Sequence, residues 1–306
     1  VKTMSDNTEF RKELEERTKQ SNEQIESYLP EEKGHQKTIF EAMNYSVKAG
    51  GKRLRPLFMQ EICRLFTGEV QPVVVPFMAA IEMIHTSSLV HDDLPCMDDD
   101  MMRRGQASTW AEYGEDMGVL AGDALMIYAF EVAAKAFKEV SDADDLKRVG
   151  RAIEILASKT GIYGMIGGQT VDVELAGGPI PKNKLDFIYR LKTGALIEAS
   201  MLIGAVLGGA AEEDCKIVES LAGKVGLAFQ IQDDILDVTG DQEVLGKEAG
   251  SDEKNQKTTY VTLEGLEKAK KDVEALSVQA IEDLNKLPGN NEFLENLIRI
   301  LIKRQK

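Results

Sequence analysis

Along most of this chain apolar side chains return every three or four positions, the spacing of one helix face. The pattern predicts helices over 10–29, 39–47, 56–65, 77–94, 118–140, 146–173, 184–207, 212–238, 263–287 and 292–303. Stop and start signals agree: Pro30 closes the first helix, Gly50-Gly51 follows the second and Pro56 opens the third. Strand signals are scarce, and the one β-branched cluster, Val73-Val74-Val75, lies between Pro72 and Pro76. Segments 77–94 and 118–140 are apolar nearly all round, as buried helices are. Short connections, with no repeat and no low-complexity linker, predict an all-α fold in a single domain over residues 1–306. Gly161, Gly164, Gly167 and Gly168 point to close helix packing more than to phosphate binding. Two polar stretches, 97–115 and 239–257, break the pattern. Each follows an acidic cluster at the end of an apolar helix, which makes both candidate lids.

Composition narrows the classes. Lys plus Arg is 37 and Asp plus Glu is 52 among 306 residues, a formal net charge of −15. Such an acidic chain lacks the basic stripe of a nucleic-acid binder. An anionic substrate stays open, because a few cations can be focused in one cleft and bridged by metal ions. A hydrophobic content of 43% supports a sizeable core. The mean hydropathy is −0.24, and no uninterrupted apolar run reaches about 18 residues, so no membrane span is expected. Cys63, Cys96 and Cys215 are too few for a disulfide framework or zinc cluster, and a reducing cytoplasm is the expectation. The first ten residues carry no signal-peptide pattern. Met4 is a candidate native start, which would make the three residues before it a cloning addition.

The candidate chemistry lies in the two acidic clusters. The first runs from His91 through Asp92, Asp93, Pro95 and Cys96 to Asp98, Asp99 and Asp100. The second runs from Gln230 through Asp233 and Asp234 to Asp237. Asp233 and Asp237 share a helix face, with Gln230 one turn before them. Pro95 should end or kink the first helix, so Asp98 must return toward Asp92 through a turn. Oxygen ligands without Cys or His suit Mg²⁺, which takes one or two carboxylates and leaves positions for waters and substrate phosphates. One run of aspartates is as readily a solvated face or a helix cap. Two clusters, each ending an apolar helix and each followed by cations, favour a metal site. Arg103-Arg104 follow the first, Lys247 and Lys257 the second, and Lys52, Arg53 and Arg55 stand beside the Gly50-Gly51 turn. Arg can grip phosphate in bidentate fashion. His85 lies two turns before Asp92 on the same side, as either a core residue or a ligand. Lys192-Thr193-Gly194 interrupts an apolar helix: a lysine there needs an anion, and the glycine marks a kink. Gln169 and Asp172 share a face and could orient that lysine.

With these residues in place, the chain resembles the all-trans polyprenyl diphosphate synthases, the farnesyl and geranylgeranyl diphosphate synthase family, in its bacterial form. Gly50 to Pro56 matches the family's GGKRLRP, and Asp92 to Asp98 with Arg103-Arg104 its first aspartate-rich motif in the longer DDxxxxD form. Lys192 to Gly194 matches KTG, Gln169 to Asp172 lies in GQxxD, and Phe229 to Asp237 matches FQxxDDxxD. The resemblance implies an isoprenoid synthase fold, a homodimeric orthogonal helical bundle around a deep central cavity. It implies a cytoplasmic transferase that condenses isopentenyl diphosphate with an allylic diphosphate, with no nucleic acid and no stable membrane insertion. It implies Mg²⁺ as cofactor, about three ions per active site with substrate bound. Asp92, Asp98 and Asp93 would bind metal on one side, and Asp233 with Asp237 on the other. Arg103, Lys192, Thr193, Gln230, Lys247 and Lys257 would surround the allylic diphosphate, with Arg103, Lys192 and Gln230 in catalytic roles. Lys52, Arg55, His85 and Arg104 would hold the diphosphate of isopentenyl diphosphate.

Product length should depend on the floor below the first cluster. Small residues, Ser87 and Ser88, stand one turn before Asp92, which leans to geranylgeranyl over farnesyl diphosphate; Met83 and Ile84 are further floor candidates. The chain departs from the family pattern at Met101-Met102, Gln106-Ala107 and Trp110, where loop details are put in question. A terpene cyclase or head-to-head prenyl synthase would leave the Lys52, Arg55 and His85 set without a purpose. A silent partner subunit would be expected to lose aspartates or cations, and both sets are intact.

Overall fold

The computed structural model describes residues 4–239 and 258–303. Among the described residues the fold is all-α apart from one tiny hairpin, and its contacts divide the chain into two compact units, Val1–Ile153 and Glu154–Lys306.

The first unit contains α1 (Met4–Glu26), α2 (Lys37–Lys48), α3 (Leu54–Thr67), α4 (Val75–Asp92), β1 (Met102–Arg103), β2 (Gln106–Ala107), α5 (Thr109–Tyr113) and α6 (Glu115–Ala134). It ends within α7 (Ala143–Thr160). Helix α4 is the axis, with α1, α2, α3 and α6 packed on it. Phe77, Met78, Ile81, Met83 and Ile84 are fully buried along it, so its all-round apolar sequence meets neighbours on every side. The β-branched cluster forms no strand. Pro72 opens a 3-10 turn (Pro72–Val74), and Pro76 sits in the first turn of α4, where its fixed φ suits a helix start.

The expectation about membrane spans needs correction. The segments Pro72–Asp92 and Glu115–Lys138 are long and apolar enough to cross a membrane by length and composition, because average hydropathy tolerates the few polar residues that interrupt each run. The first is 78% buried inside the protein, and the second 39%.

The second unit contains α8 (Met165–Glu174), α9 (Lys182–Ile188), a π turn (Tyr189–Thr193), α10 (Gly194–Leu207), α11 (Glu212–Thr239), α12 (Tyr260–Glu264), α13 (Leu266–Leu284) and α14 (Glu292–Lys303). Helix α11 is its spine, packed by α10 and α13. Three expectations are refined here. The single stretch 146–173 is two helices, parted where a Cβ at Gly164 would stand 2.0 Å from the Lys159 carbonyl oxygen. The stretch 184–207 widens into the π turn instead of kinking at Gly194, whose backbone stays helical. The last long helix begins earlier, at a Thr259–Thr262 capping box, and breaks at Gly265.

Candidate active site

In the first unit the Gly50-Gly51 turn leads into α3 with both residues at positive φ, 85° and 135°. A Cβ on Gly51 would lie 2.8 Å from Arg104 Nη2, and the Arg104 guanidinium donates to the Gly50 carbonyl. The space that a side chain would fill is therefore taken by an arginine from the hairpin. Arg53 turns the other way. Its left-handed backbone, φ 49°, aims the guanidinium inward, where Nη1 meets Glu82 Oε1 at 2.6 Å. Its Nε donates to Asn22 Oδ1 and its Nη2 to the Val47 carbonyl, each at 2.6 Å. Both ends of this ion pair are buried. Lys52 remains exposed and Arg55 half-buried on either side of it.

His85 lies among these cations. Burial first, then the charges of Arg55, Arg104, Arg53 and Arg103, hold its pKa well below the ordinary 6.5, so the imidazole is neutral near pH 7. Burial also lowers Arg55 and Arg104, with Glu82 pulling both back up. One glutamate thus faces Arg53, Arg55 and Arg104, leaving net positive charge for an anion. The structure brings together Arg55, His85 and Arg104 of the expected isopentenyl diphosphate set, with Lys52 on the turn beside them. The Arg53–Glu82 pair was missed from sequence, although a glutamate inside an apolar helix is itself a signal that a cation waits for it.

The first aspartate cluster closes as a turn. The Asp98 N–H donates to the Asp92 carbonyl at 2.8 Å, that of Asp99 to Leu94 and that of Asp100 to Asp93, each at 3.1 Å. Asp99 has φ 54° and Arg104 φ 53°; with Arg53 they are the non-glycine residues at positive φ among those described, and all three lie on these loops. Asp92 is half-buried and Asp98 exposed. Asp93 is buried and held by Arg103, whose Nε lies 3.0 and 3.2 Å from its two oxygens, with a closer contact from Nη2. Burial raises the Asp93 pKa, with Arg103 opposing and Asp100 and Asp98 adding to the rise. Burial would lower Arg103, but Asp93, helped by Asp100 and Asp92, outweighs it. Trp110, one of the departures from the family pattern, donates from Nε1 to the Asp100 carbonyl at 3.0 Å and so fixes the end of this turn. His91 packs on α6 where a Cβ on Gly122 would come within 2.0 Å of its Nε2.

Below the cluster, Ser87, Met83 and Ile84 are fully buried. The Ser87 hydroxyl has no hydrogen-bond partner among the described residues, whereas Ser88 donates to the His85 carbonyl at 2.7 Å.

In the second unit the KTG, GQxxD and FQxxDDxxD residues meet. Lys192 Nζ lies 2.7 Å from Asp172 Oδ2. Helix α8 reaches the π turn because Gly168 has no side chain: a Cβ there would stand 2.3 Å from the Lys192 nitrogen. Thr193 Oγ1 donates to Gln230 Oε1 at 3.0 Å. Asp233 and Asp237 are half-buried one turn apart on α11, on the side of Gln230, while Asp234 is buried. Lys247 and Lys257 lie outside the described residues, as does most of the second polar stretch. The first polar stretch holds the β1–β2 hairpin and α5.

Among the described residues no three acidic, His or Cys side chains converge on a common metal point. Mg²⁺ needs no such cage, since one or two carboxylates with waters and substrate phosphates complete it. Asp92 with Asp98, and Asp233 with Asp237, offer that oxygen-only donor set.

The comparisons agree with this chemistry. Residues 36–296, a span that includes parts of both units, match the family model for polyprenyl synthetase. The farnesyl diphosphate synthase of Escherichia coli K12 is 39% identical over 303 residues, covering 97% of this chain and 100% of that protein. The chloroplastic geranylgeranyl pyrophosphate synthase of Catharanthus roseus is 45% identical over 247 residues, covering 80% of this chain and 68% of that protein. A crystal structure of a geranyltransferase from Helicobacter pylori, complexed with magnesium and isoprenyl diphosphate, superposes with a TM-score of 0.77 at 32% identity, covering 93% of this chain and 95% of that one. Motifs, fold and relatives thus agree: the chain belongs to the polyprenyl synthetase family and is a prenyltransferase.

Proposed function

We propose that this enzyme condenses isopentenyl diphosphate with dimethylallyl, geranyl or farnesyl diphosphate, releasing diphosphate and giving farnesyl or, on our reading, geranylgeranyl diphosphate. The observation that carries the two-substrate reading is the cation cluster of Arg55, Arg104 and neutral His85 at the Gly50-Gly51 turn. Such a cluster of cations suits a second diphosphate, for which a cyclase acting on one allylic diphosphate has no use.

Asp92 and Asp98, and Asp233 with Asp237, hold Mg²⁺, about three ions with substrate bound. Asp93, named with the metal set on the resemblance, is bonded to Arg103 and contributes by orienting it instead of as a ligand. When bound, the metal neutralises the leaving diphosphate. Arg103, Lys192, Thr193, Lys247 and Lys257 bind the allylic diphosphate and stabilise the charge that grows on it as the carbon–oxygen bond breaks. Lys192, held by Asp172, and Gln230, held by Thr193, keep fixed dipoles and charge beside the reacting carbons. Lys52, Arg55, His85 and Arg104 orient isopentenyl diphosphate so that its double bond attacks the allylic cation. The proton lost from the adduct goes to the departing diphosphate. Ser87, with Ser88, Met83 and Ile84, sets the depth available to the growing tail.

We read residues 1–306 as a single polyprenyl synthase domain, and the protein works as a homodimer in the cytoplasm. Support for the dimer is α6, an apolar helix that leaves Val119, Leu120 and Ile127 exposed, the last at 72%. Chromatography of the products from each starter, with Mg²⁺ and with or without isopentenyl diphosphate, tests the reading. Elongated diphosphates only in its presence are expected. A hydrocarbon or cyclic product from the allylic substrate alone would overturn it.

A further inference from the structure

We infer that Asp234 is a positioning residue that sets the place of Lys192 relative to Asp233, resting on the metal role proposed above for Asp233. Asp234 follows Asp233 directly, but one residue is about 100° around a helix. That step takes it from the half-exposed side of Gln230, Asp233 and Asp237 to the buried side of Ile231 and Ile235. Its exposure is 4%. One oxygen, Oδ2, accepts the Tyr189 hydroxyl at 2.5 Å and the Tyr260 backbone N–H at 2.8 Å. That N–H also lies 3.2 Å from the Tyr189 hydroxyl, so the three groups close a triangle. Tyr189 and Tyr260 are both buried.

The partners give the bond its meaning. Tyr189 is the first residue of the π turn and Thr193 the last. Tyr189 is tied to Asp234, and Thr193 to Gln230 one helical turn earlier on α11. The turn is therefore pinned at both ends to the same helix, with Asp233 between the two pins and Lys192 between the two tied residues. Tyr260 opens α12, so the same carboxylate also anchors the start of that helix. A π turn lacks the regular hydrogen-bond register of its neighbours. The side-chain ties add to its own backbone bonds and fix it against α11.

The experiment compares Asp234→Ala, Asp234→Asn and Tyr189→Phe with Asp233→Asn and the parent. Three quantities are read: kcat and KM for geranyl diphosphate, the Mg²⁺ concentration giving half-maximal rate, and hydrogen exchange of the Tyr260 amide. Asp234→Ala should cut kcat on the order of 10²-fold, the cost of displacing a reacting group by about an ångström. It should also release the Tyr260 amide to fast exchange while the Mg²⁺ midpoint stays within about twofold. Asn keeps an oxygen that accepts both donors, so Asp234→Asn should restore slow exchange and most of kcat. Tyr189→Phe, which removes the hydroxyl's bonds to Asp234 and the Tyr260 N–H but leaves the carboxylate bonded to that N–H, should fall between, and it keeps the test alive if the alanine variant does not fold. A Mg²⁺ midpoint raised by Asp234→Asn as far as by Asp233→Asn would overturn the inference. So would slow Tyr260 exchange with parental kcat in Asp234→Ala. An unmoved midpoint in Asp233→Asn would instead remove the metal assignment of Asp233, and the exchange data would still judge Asp234.

Discussion

Gly168→Ala is the smallest change that should reach the chemistry from outside it. The added methyl would stand 2.3 Å from the Lys192 nitrogen and 2.9 Å from the Leu191 carbonyl carbon and Cβ. Ordinary contact begins at 3.4 Å, so helix and turn must part by about 1.1 Å. The obstacle is backbone and cannot swing away. Asp172, one turn along the same helix, holds the Lys192 ammonium, so any retreat of α8 carries that grip with it. Overpacking costs about 1–3 kcal/mol, and Ala in place of Gly returns about 1 kcal/mol of helix propensity. Stability should therefore fall by only about 0–2 kcal/mol. Activity should fall further, because a misplacement of about 1 Å costs on the order of 10²-fold. Gly150→Ala is the control: nothing lies within 4 Å of its Cβ, so it should leave the rate unchanged and stabilise α7 by about 0.5–1 kcal/mol. Initial rates with geranyl and isopentenyl diphosphates, beside urea unfolding, measure both arms. A folded Gly168→Ala enzyme with parental kcat/KM would refute the reasoning.

Other perturbations separate further parts of the account. Glu82→Ala leaves the Arg53 charge buried without its partner, so urea unfolding should show a loss of about 3–5 kcal/mol, with KM rising more for isopentenyl than for allylic diphosphate. A loss under about 1 kcal/mol would mean that the pair is not buried in solution. Asp283 is tied to Lys224, Lys286 and Ser220, whose hydrogen bonds outweigh burial and lower its pKa to about 2. Its stabilising share, about 2 kcal/mol, is complete above the unfolded value near 3.8 and lost as pH falls through that value toward 2. The stability gap between parent and Asp283→Asn should shrink over that window, and a gap constant with pH would contradict it. Ser87→Tyr should shorten the main product made with excess isopentenyl diphosphate, and an unchanged product would remove Ser87 from the floor. Asp92→Ala or Asp233→Ala should abolish turnover with the helical circular dichroism intact, whereas near-normal rates in both would sink the metal assignments.

The fold class was legible because helix periodicity is local, and helix 292–303 was placed to the residue. Boundaries failed where a tertiary or backbone effect decided them. The break after Thr160 depends on a carbonyl that only the folded turn brings against Gly164. The β1–β2 hairpin pairs two residues with two, too short for any periodic signal. At the site, residue types and spacing identified the cation turn, the aspartate turn and the KTG lysine. They could not say which way a side chain points. Asp172 as the partner of Lys192 followed from helix spacing, because both choices faced one way. Arg53 did not, because the Gly50-Gly51 pair announces a turn but not that Arg53 itself takes the left-handed backbone that aims it inward.

That blind spot has a physical pattern. On the roles proposed above, each motif mixes residues that would face a ligand with residues that hold them. In GGKRLRP, Lys52 and Arg55 flank an Arg53 that is spent on Glu82. In the first aspartate cluster, Asp93 is spent on Arg103 between Asp92 and Asp98. In the second, Asp234 is spent on Tyr189 and Tyr260 between Asp233 and Asp237. In each case a charged residue beside the ligand-facing ones is the buried one. Adjacent like charges that all faced one small anion or metal would repel and crowd. Turning one inward satisfies it within the protein and fixes the backbone from which its neighbours project. Charge reversal at the inward residue should therefore destabilise the fold first, whereas charge removal at the outward residues should spare the fold and abolish substrate binding. Unfolding and substrate titrations on Arg53→Glu and Lys52→Ala would separate the two classes. Equal loss of stability in both would show that no such division exists.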